Sequence, residues 1–194
     1  MAVNRRLLAA SLGAGVLLSI GGGYLVGRGE DAAGTSAPDV VLDEPGVAQI
    51  PTIGTNAAVE GTPLAVAELQ DNDGNVVSTA DLIGQPLIIN VWNSTCAPCR
   101  RELPAFAEVH AVLGDRIRFV GINNLDGPDV NESFARDRGV GYELLRDVND
   151  DFASSVGIAT LPVTLFVSAD GTVVRQTGVL EEDDLRRFAE ELLG

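Results

Sequence analysis

Two cysteines three positions apart, set between an apolar segment and a helical one, constrain this chain most. Cys96 and Cys99 are the only cysteines among 194 residues. A disulfide scaffold needs more cysteines at wider spacing, and a zinc site needs about four ligands, whereas His110 is the only histidine that could join the pair. A c-type haem attachment requires histidine directly after the second cysteine, where this chain has Arg100. The spacing therefore favours a redox-active pair.

The position of the pair predicts different roles for the two thiols. Residues 86–92 form a short, nearly all-apolar run, which is typical of a strand covered on both faces, and residues 97–113 are expected to form a helix. A thiolate at a helix N-terminus faces unpaired backbone N–H groups and the positive end of the helix dipole, so its pKa falls below the free value of about 8.5. Cys96, at the tip, is the predicted nucleophile, and Cys99 the resolving thiol.

Strands and helices alternate along the rest of the chain, which predicts an α/β fold with a mixed central sheet flanked by helices. Asp73-Gly74 and Asp170-Gly171 are hairpin signals at the two ends of this region. Further strands are predicted at 64–69, 75–77, 118–123, 142–145, 163–168 and 172–177, and further helices at 129–138, 149–156 and 181–193.

The N-terminus has a different character. Residues 7–27 carry no charge, follow two arginines, and are long enough as a helix to cross a hydrocarbon core. Residues 1–28 are therefore expected to be a single-pass membrane anchor with the rest of the chain outside the cytoplasm; the alternative is a cleaved signal segment and a secreted or periplasmic protein. Residues 29–60, without a base and rich in Ala, Gly, Pro and acids, are expected to be a flexible linker to a domain at 61–194.

Composition excludes several classes of function. The formal net charge of −15 disfavours nucleic-acid binding. Every basic residue is arginine, so Schiff-base and phosphate-loop lysine chemistry is absent. We expect no cofactor and a monomer.

The segment 90–104, Asn-Val-Trp-Asn-Ser-Thr-Cys-Ala-Pro-Cys-Arg-Arg-Glu-Leu-Pro, resembles the active-site segment of the TlpA/ResA-like thioredoxin-fold proteins. Members of that family are membrane-tethered, extracytoplasmic disulfide oxidoreductases, and several serve cytochrome c maturation. The resemblance covers roughly residues 60–194 and includes Thr160-Leu161-Pro162. It implies a thioredoxin-like fold with an N-terminal hairpin, a helix–strand insertion at 126–150, and a cis Pro162 that faces the disulfide.

The same resemblance assigns further site residues. It implies that Leu161 pairs with substrate through its backbone, and that Thr160, Thr95 and Trp92 belong with it to the substrate-binding surface, Trp92 packing at the base of the site. Thr95 replaces the usual family tryptophan, which leaves the substrate preference open.

Glu102 is the remaining candidate catalytic residue, with Cys96, Cys99 and Pro162. It follows Cys99 by three positions and so lies beside it on the helix, where a carboxyl group could exchange protons with that thiol. Asn90 stands where plain thioredoxin has a buried acid. The alternative for Glu102 is a solvated helix charge. His110, spaced with apolar residues of the helix, is expected to be a packing residue.

These observations predict an extracytoplasmic thiol–disulfide oxidoreductase acting on protein thiols and disulfides. The family resemblance favours a reductase that receives electrons from a membrane thiol carrier. A disulfide-forming oxidase would use the same atoms in reverse. A copper-handling module on the same fold, or a peroxide-reducing enzyme, is the alternative from another class; the close cysteine pair disfavours both.

Overall fold

The structure is a computed structural model that describes residues 53–194. The described chain contains seven strands and four α-helices, together with short 3-10 helices at Ile53–Thr55 and Thr79–Leu82. In chain order the elements are β1 (Glu68–Gln70), β2 (Val76–Ser78), β3 (Leu87–Trp92), α1 (Ala97–Leu113), β4 (Arg118–Asn123), α2 (Pro128–Arg136), β5 (Glu143–Arg146), α3 (Asp151–Ser155), β6 (Val163–Val167), β7 (Val173–Thr177) and α4 (Glu182–Leu193).

The strands form one sheet in the order β2-β1-β5-β4-β3-β6-β7. The pairs β3–β4 and β4–β5 are parallel, whereas β3–β6, β6–β7, β1–β2 and β1–β5 are antiparallel. The predicted mixed sheet of a thioredoxin-like fold is therefore confirmed, including the hairpins at its two edges. Strand β3 lies between β4 and β6, and its carboxyl end leads directly to the cysteine pair.

The central strand is buried because both faces of the sheet are covered. All six residues of β3 are buried, and successive side chains point to opposite faces. Ile88 and Trp92 pack in a core with α1 and α4, while Ile89 and Val91 pack in a second core with Phe152 of α3. Helix α1 is thus fixed against the sheet at the point where it carries the disulfide.

The first predicted strand is shorter than expected. Only Glu68–Gln70 pairs as a strand, although residues 64–69 carry the strand pattern. The backbone N–H of Leu64 donates instead to Gly171 O at 2.8 Å, and that of Ala67 donates to the Thr79 hydroxyl at 2.9 Å. These two N–H groups are bonded outside the regular β1–β2 ladder, so Leu64 and Ala67 are not part of that hairpin.

The described end of the predicted linker is attached to the domain. Ala57 N–H donates to Gly157 O at 2.9 Å, and Val59 N–H donates to the Gln176 side chain at 3.1 Å. Residues 56–60 therefore contact the domain, whereas the linker expected at 29–60 as a whole stays a prediction. The predicted anchor or signal at 1–28 lies outside the described residues, as does the linker up to residue 52. No helix within 53–194 is both long enough and apolar enough to span a membrane.

Candidate active site

Cys96 and Cys99 are joined in a disulfide at the N-terminus of α1. Cys96 is the residue that caps the helix, and its Sγ accepts the backbone N–H of Cys99 at 3.2 Å. Cys96 is half-buried, whereas Cys99 is fully buried. The accessible sulfur is thus the one at the positive end of the helix dipole, which supports the predicted order of nucleophile and resolving thiol.

The loop that precedes β6 forms the other wall of the site. The Leu161–Pro162 peptide bond is cis, as the resemblance implied, and Pro162 is buried. Beside the disulfide lies an open groove of about 400 Å³. It is lined by Asn93, Thr95, Cys96, Pro98, Asn124, Ile158, Ala159, Thr160 and Leu161. The structure therefore brings Thr95, Thr160 and Leu161 together around the nucleophile.

Trp92 does not line this groove. Its side chain is fully buried and stacks on Phe134 of the inserted helix α2, with ring centroids 5.6 Å apart. The side chain is absent from the lining of the groove, so this structure does not bring it together with Thr95, Thr160 and Leu161, and its assignment to the substrate-binding surface stays a prediction. The expected packing role at the base of the site is what the structure shows.

Glu102 is buried on α1 one helical turn after Cys99, with only 2% of its surface exposed. Its carboxylate accepts Asn90 Nδ2 at 2.9 Å and the backbone N–H of Leu180 at 3.2 Å. Burial raises the pKa of Glu102 from 4.5 to about 7, although these two hydrogen bonds oppose the rise. The alternative of a solvated helix charge is therefore wrong, and the carboxyl group is positioned for proton exchange near neutral pH.

Asn90 connects Glu102 to the strand that follows the cis proline. Its Nδ2 also donates to Thr164 Oγ1 at 3.3 Å, and Thr164 lies two residues after Pro162 on β6. The Asn90 Oδ1 atom is buried and has no hydrogen-bond partner in the described part of the chain. A small polar layer of Asn90, Glu102 and Thr164 thus underlies the site. The sequence did not identify Thr164, because a lone threonine in a β-rich segment has no distinguishing pattern.

A second polar network fixes the loop before the nucleophile. Asn93 Oδ1 accepts the backbone N–H groups of Thr95 and Cys96, at 3.1 and 3.0 Å, and the Thr95 hydroxyl at 2.8 Å. Asp126 accepts both the backbone N–H and the hydroxyl of Ser94, at 2.7 and 2.6 Å. Burial disfavours the ionised form of Asp126, but the hydrogen bonds from Ser94 and Asn123 outweigh it and keep its pKa below the ordinary value. Neither Asn93 nor Asp126 was identified from the sequence.

His110 has the packing role expected of it. Its ring makes edge contacts with Phe119 and Tyr142, with centroids 5.3 and 5.4 Å apart, and burial lowers its pKa. Among residues 53–194, no group of three or more histidine, cysteine, aspartate or glutamate side chains is arranged to hold a metal ion.

A half-buried cysteine at a helix tip, disulfide-bonded to a buried one and facing a cis-proline loop, defines a thioredoxin-fold thiol–disulfide oxidoreductase. Comparison with known proteins gives the family: the chain belongs to the AhpC/TSA family, whose model matches residues 61–176.

The names of the relatives describe the same thiol–disulfide chemistry. The thiol-disulfide oxidoreductase ResA of Geobacillus thermodenitrificans is 27% identical over 149 residues, which cover 73% of this chain and 86% of that protein. The thiol:disulfide interchange protein HelX of Rhodobacter capsulatus is 32% identical over 112 residues, covering 57% of this chain and 62% of the relative. The structure of MTB dsbF, in mixed oxidized and reduced forms, superposes with a TM-score of 0.59 at 25% identity, over 65% of this chain and 94% of that one.

Proposed function

We propose that this protein is an extracytoplasmic disulfide reductase for protein substrates, held at the membrane by residues 1–28 and re-reduced there by a membrane thiol carrier. The observation that carries the reductive direction is the buried carboxyl group of Glu102, one helical turn after Cys99. The family resemblance and the similarity to ResA and HelX support a role in cytochrome c maturation. A structural neighbour described as a secreted disulfide oxidoreductase of Mycobacterium tuberculosis has the same fold, which is compatible with the proposed location.

The reaction needs only the groups of the site. In the reduced enzyme the Cys96 thiolate attacks one sulfur of the substrate disulfide, forming a mixed disulfide and releasing one substrate thiolate. Cys99 then loses its proton to Glu102 and attacks Cys96 Sγ, which releases the second substrate thiolate. Two electrons pass to the substrate, and the enzyme is left with the Cys96–Cys99 disulfide seen in the structure.

The environment of the pair bears on the direction of transfer. Strong oxidants of this fold owe their high potential to a stabilised reduced form, in which the nucleophile is a thiolate. Here the helix dipole stabilises the Cys96 thiolate, but an ionised Glu102 opposes negative charge at both sulfurs, most at the nearer Cys99 and less at Cys96. A less stabilised thiolate gives a lower potential, so the enzyme is expected to donate electrons.

The groove suits an extended polypeptide. It is open, and its floor and walls combine the disulfide with loop residues 158–161. Leu161 lines this groove directly before the cis proline, where its backbone N–H and C=O would pair with a substrate strand, as in β-augmentation.

The reduction potential of the Cys96–Cys99 couple tests the proposal. The full chain is equilibrated with graded dithiothreitol or glutathione buffers, and the reduced fraction is measured by thiol labelling. We expect a potential near that of thioredoxin, about −270 mV. A potential near that of DsbA, about −120 mV, would exclude the reductase and favour the disulfide-forming oxidase. In a second measurement, Glu102→Gln should raise the reduction potential of the Cys96–Cys99 couple, because removing the charge favours thiolate formation.

A further inference from the structure

The loop of residues 158–161, the substrate loop, has no helix or strand of its own yet forms one wall of the groove. Such loops keep a defined conformation only where their polar backbone groups find partners. In this protein most of those partners belong to one side chain, which lies about a hundred positions earlier in the sequence.

That side chain is Asn56. Its Oδ1 accepts the backbone N–H groups of Ala159 and Thr160, at 2.6 and 2.7 Å, and its Nδ2 donates to Thr160 O at 3.0 Å. Only a group that carries an acceptor and a donor in one plane can make all three contacts at once, and the amide of asparagine is such a group.

The backbone beside Asn56 holds the same loop at its base. Ala57 N–H donates to Gly157 O at 2.9 Å. Gly157 has a φ of +64°, and a Cβ there would lie 2.5 Å from Ala57 Cβ, so glycine is required both by its conformation and by this close approach.

Asn56 is itself fixed to the sheet. Gln176 of β7 donates from Nε2 to Ala57 O at 3.0 Å and accepts Val59 N–H at 3.1 Å, and Glu60 accepts Gln176 N–H at 2.8 Å. The position of the substrate loop relative to the sheet is therefore set through residues 56–60.

From these contacts we infer that Asn56 is a positioning residue for substrate binding. It occupies the polar backbone of Ala159 and Thr160 and so presents the next peptide, that of Leu161, to the groove. This inference rests on the proposed use of the groove by protein substrates. Without Asn56, the loop must be ordered when the substrate binds, and that entropy lowers affinity for a polypeptide. The chemistry at Cys96 is unchanged.

The test compares the full chain with Asn56→Ala, Asn56→Asp and Asn72→Ala. Asn72 is the matched control, since it is also half-buried and its side chain bonds two partners, but those partners, Glu132 and Asn131, do not line the groove, whereas Ala159 and Thr160 do. Reduction of insulin measures the reaction with a polypeptide. Reduction of 5,5′-dithiobis(2-nitrobenzoate) measures the reaction of Cys96 with a small disulfide that needs no strand pairing.

Asn56→Ala should raise KM for insulin about tenfold with little change in kcat. This is the effect expected when one to two hydrogen bonds that order the substrate loop are lost. Its rate with the small disulfide should stay at the wild-type value. Asn56→Asp keeps both acceptor contacts and loses the donor, so its KM should rise only about threefold. Asn72→Ala should change neither rate. Amide exchange at Ala159 and Thr160 should accelerate in Asn56→Ala.

Two results would overturn the inference: an unchanged KM for insulin in Asn56→Ala, or an equal loss with both disulfides. If Asn56→Ala does not fold, Asn56→Asp and the amide exchange of the wild type decide, since slow exchange at Ala159 and Thr160 is required. The measurement is repeated for oxidation of a dithiol peptide, where KM should rise by the same factor. An oxidising potential would therefore refute the reductase and leave the role of Asn56 standing.

Discussion

Replacing Glu102 with glutamine gives the sharpest test of the buried carboxyl group, because its effect on stability has a defined dependence on pH. The two side chains have nearly the same shape, but glutamine cannot ionise. In the oxidised protein both cysteines are in the disulfide, so no thiol titrates. A difference between wild type and variant in that state therefore reports Glu102.

The magnitude follows from the pKa. Burial raises the pKa of Glu102 from 4.5 to about 7 in the folded protein. The folded state thus binds this proton more tightly than the unfolded state, so the wild-type free energy of unfolding falls as pH rises from about 4.5 to about 7 and stays lowered above it. At about 1.4 kcal/mol per pKa unit, the total loss is about 3 kcal/mol.

Glutamine also has a cost that does not depend on pH. One carboxylate oxygen becomes an NH₂ group, which faces either Asn90 Nδ2 or the Leu180 N–H, both of them donors. Loss of that hydrogen bond destabilises the variant by about 1–3 kcal/mol at every pH. The free energy of unfolding of the variant at a single pH is therefore not informative. The change with pH in its difference from wild type reports the ionisation of Glu102.

Urea denaturation of both oxidised proteins at intervals from pH 4.5 to 8.5 measures the difference. The free energy of unfolding of Glu102→Gln, relative to wild type, should rise by about 3 kcal/mol across this interval. Glu108→Gln is the matched control, because Glu108 is exposed on the same helix; its difference from wild type should stay flat. Parallel profiles for wild type and Glu102→Gln would refute the argument that Glu102 is a buried acid titrating near pH 7.

The remaining predictions concern the thiols, the loop before them and the N-terminus. In the reduced protein Cys96 should alkylate at least about tenfold faster than Cys99, as mass mapping after brief iodoacetamide would show; equal labelling would contradict the assigned roles. Cys99→Ser should accumulate mixed disulfides with substrates, and Cys96→Ser should not. Asp126→Ala leaves the N–H and hydroxyl of Ser94 without their acceptor, so urea denaturation should show a loss of about 2 kcal/mol; an unchanged midpoint would exclude this bracing role. The full chain should fractionate with membranes, and protease added from outside the cytoplasm should release the domain by cutting within the expected linker at 29–60; a soluble protein beginning near residue 24 would instead indicate a cleaved signal.

The sequence predicted the centre of the fold well, because its signals there are local. The run that became β3 is apolar except for Asn90, which is typical of a strand buried on both faces, and helix α1 has the bounds Ala97–Leu113 that its pattern predicted. Pro98 in the first turn and the cysteine cap fix where that helix begins. Strand Arg118–Asn123 was also predicted at its observed bounds. The site inherits this accuracy, since the disulfide lies at the junction of β3 and α1.

Long-range polar contacts could not be predicted from the sequence. Asn56 bonds residues 103 and 104 positions away, and Asp126 bonds Ser94, which lies 32 positions away. Neither contact leaves a periodic pattern, and asparagine and aspartate are ordinary loop residues. Asn56 was predicted to lie in a flexible linker because the segment around it is poor in apolar residues. Composition of that kind does not reveal hydrogen bonds, which can attach a segment to a domain without apolar contacts.

The burial of Glu102 could be predicted only in part from the sequence. Its spacing from Cys99 placed it on the same face of the helix, and that face proved to be the buried one. What the spacing could not supply was the reason a carboxyl group is tolerated there: Asn90 and the Leu180 backbone are its donors, one on the central strand and one just before α4. A periodic pattern locates a face, whereas the groups that satisfy a polar side chain on it come from elsewhere in the chain.

The energetic cost of Glu102 is itself an argument about function. An apolar side chain at this position would bury without a pKa shift, so above neutral pH the fold is less stable than it would be with such a residue. A stabilising role does not explain the carboxyl group, whereas the proposed chemical role does, because Cys99 must lose a proton each time it closes the disulfide. The acceptor has to be buried to reach a buried thiol, and burial is what brings its pKa to the range in which a proton can be both taken and released. The property that weakens the fold is therefore the one that the proposed reaction uses.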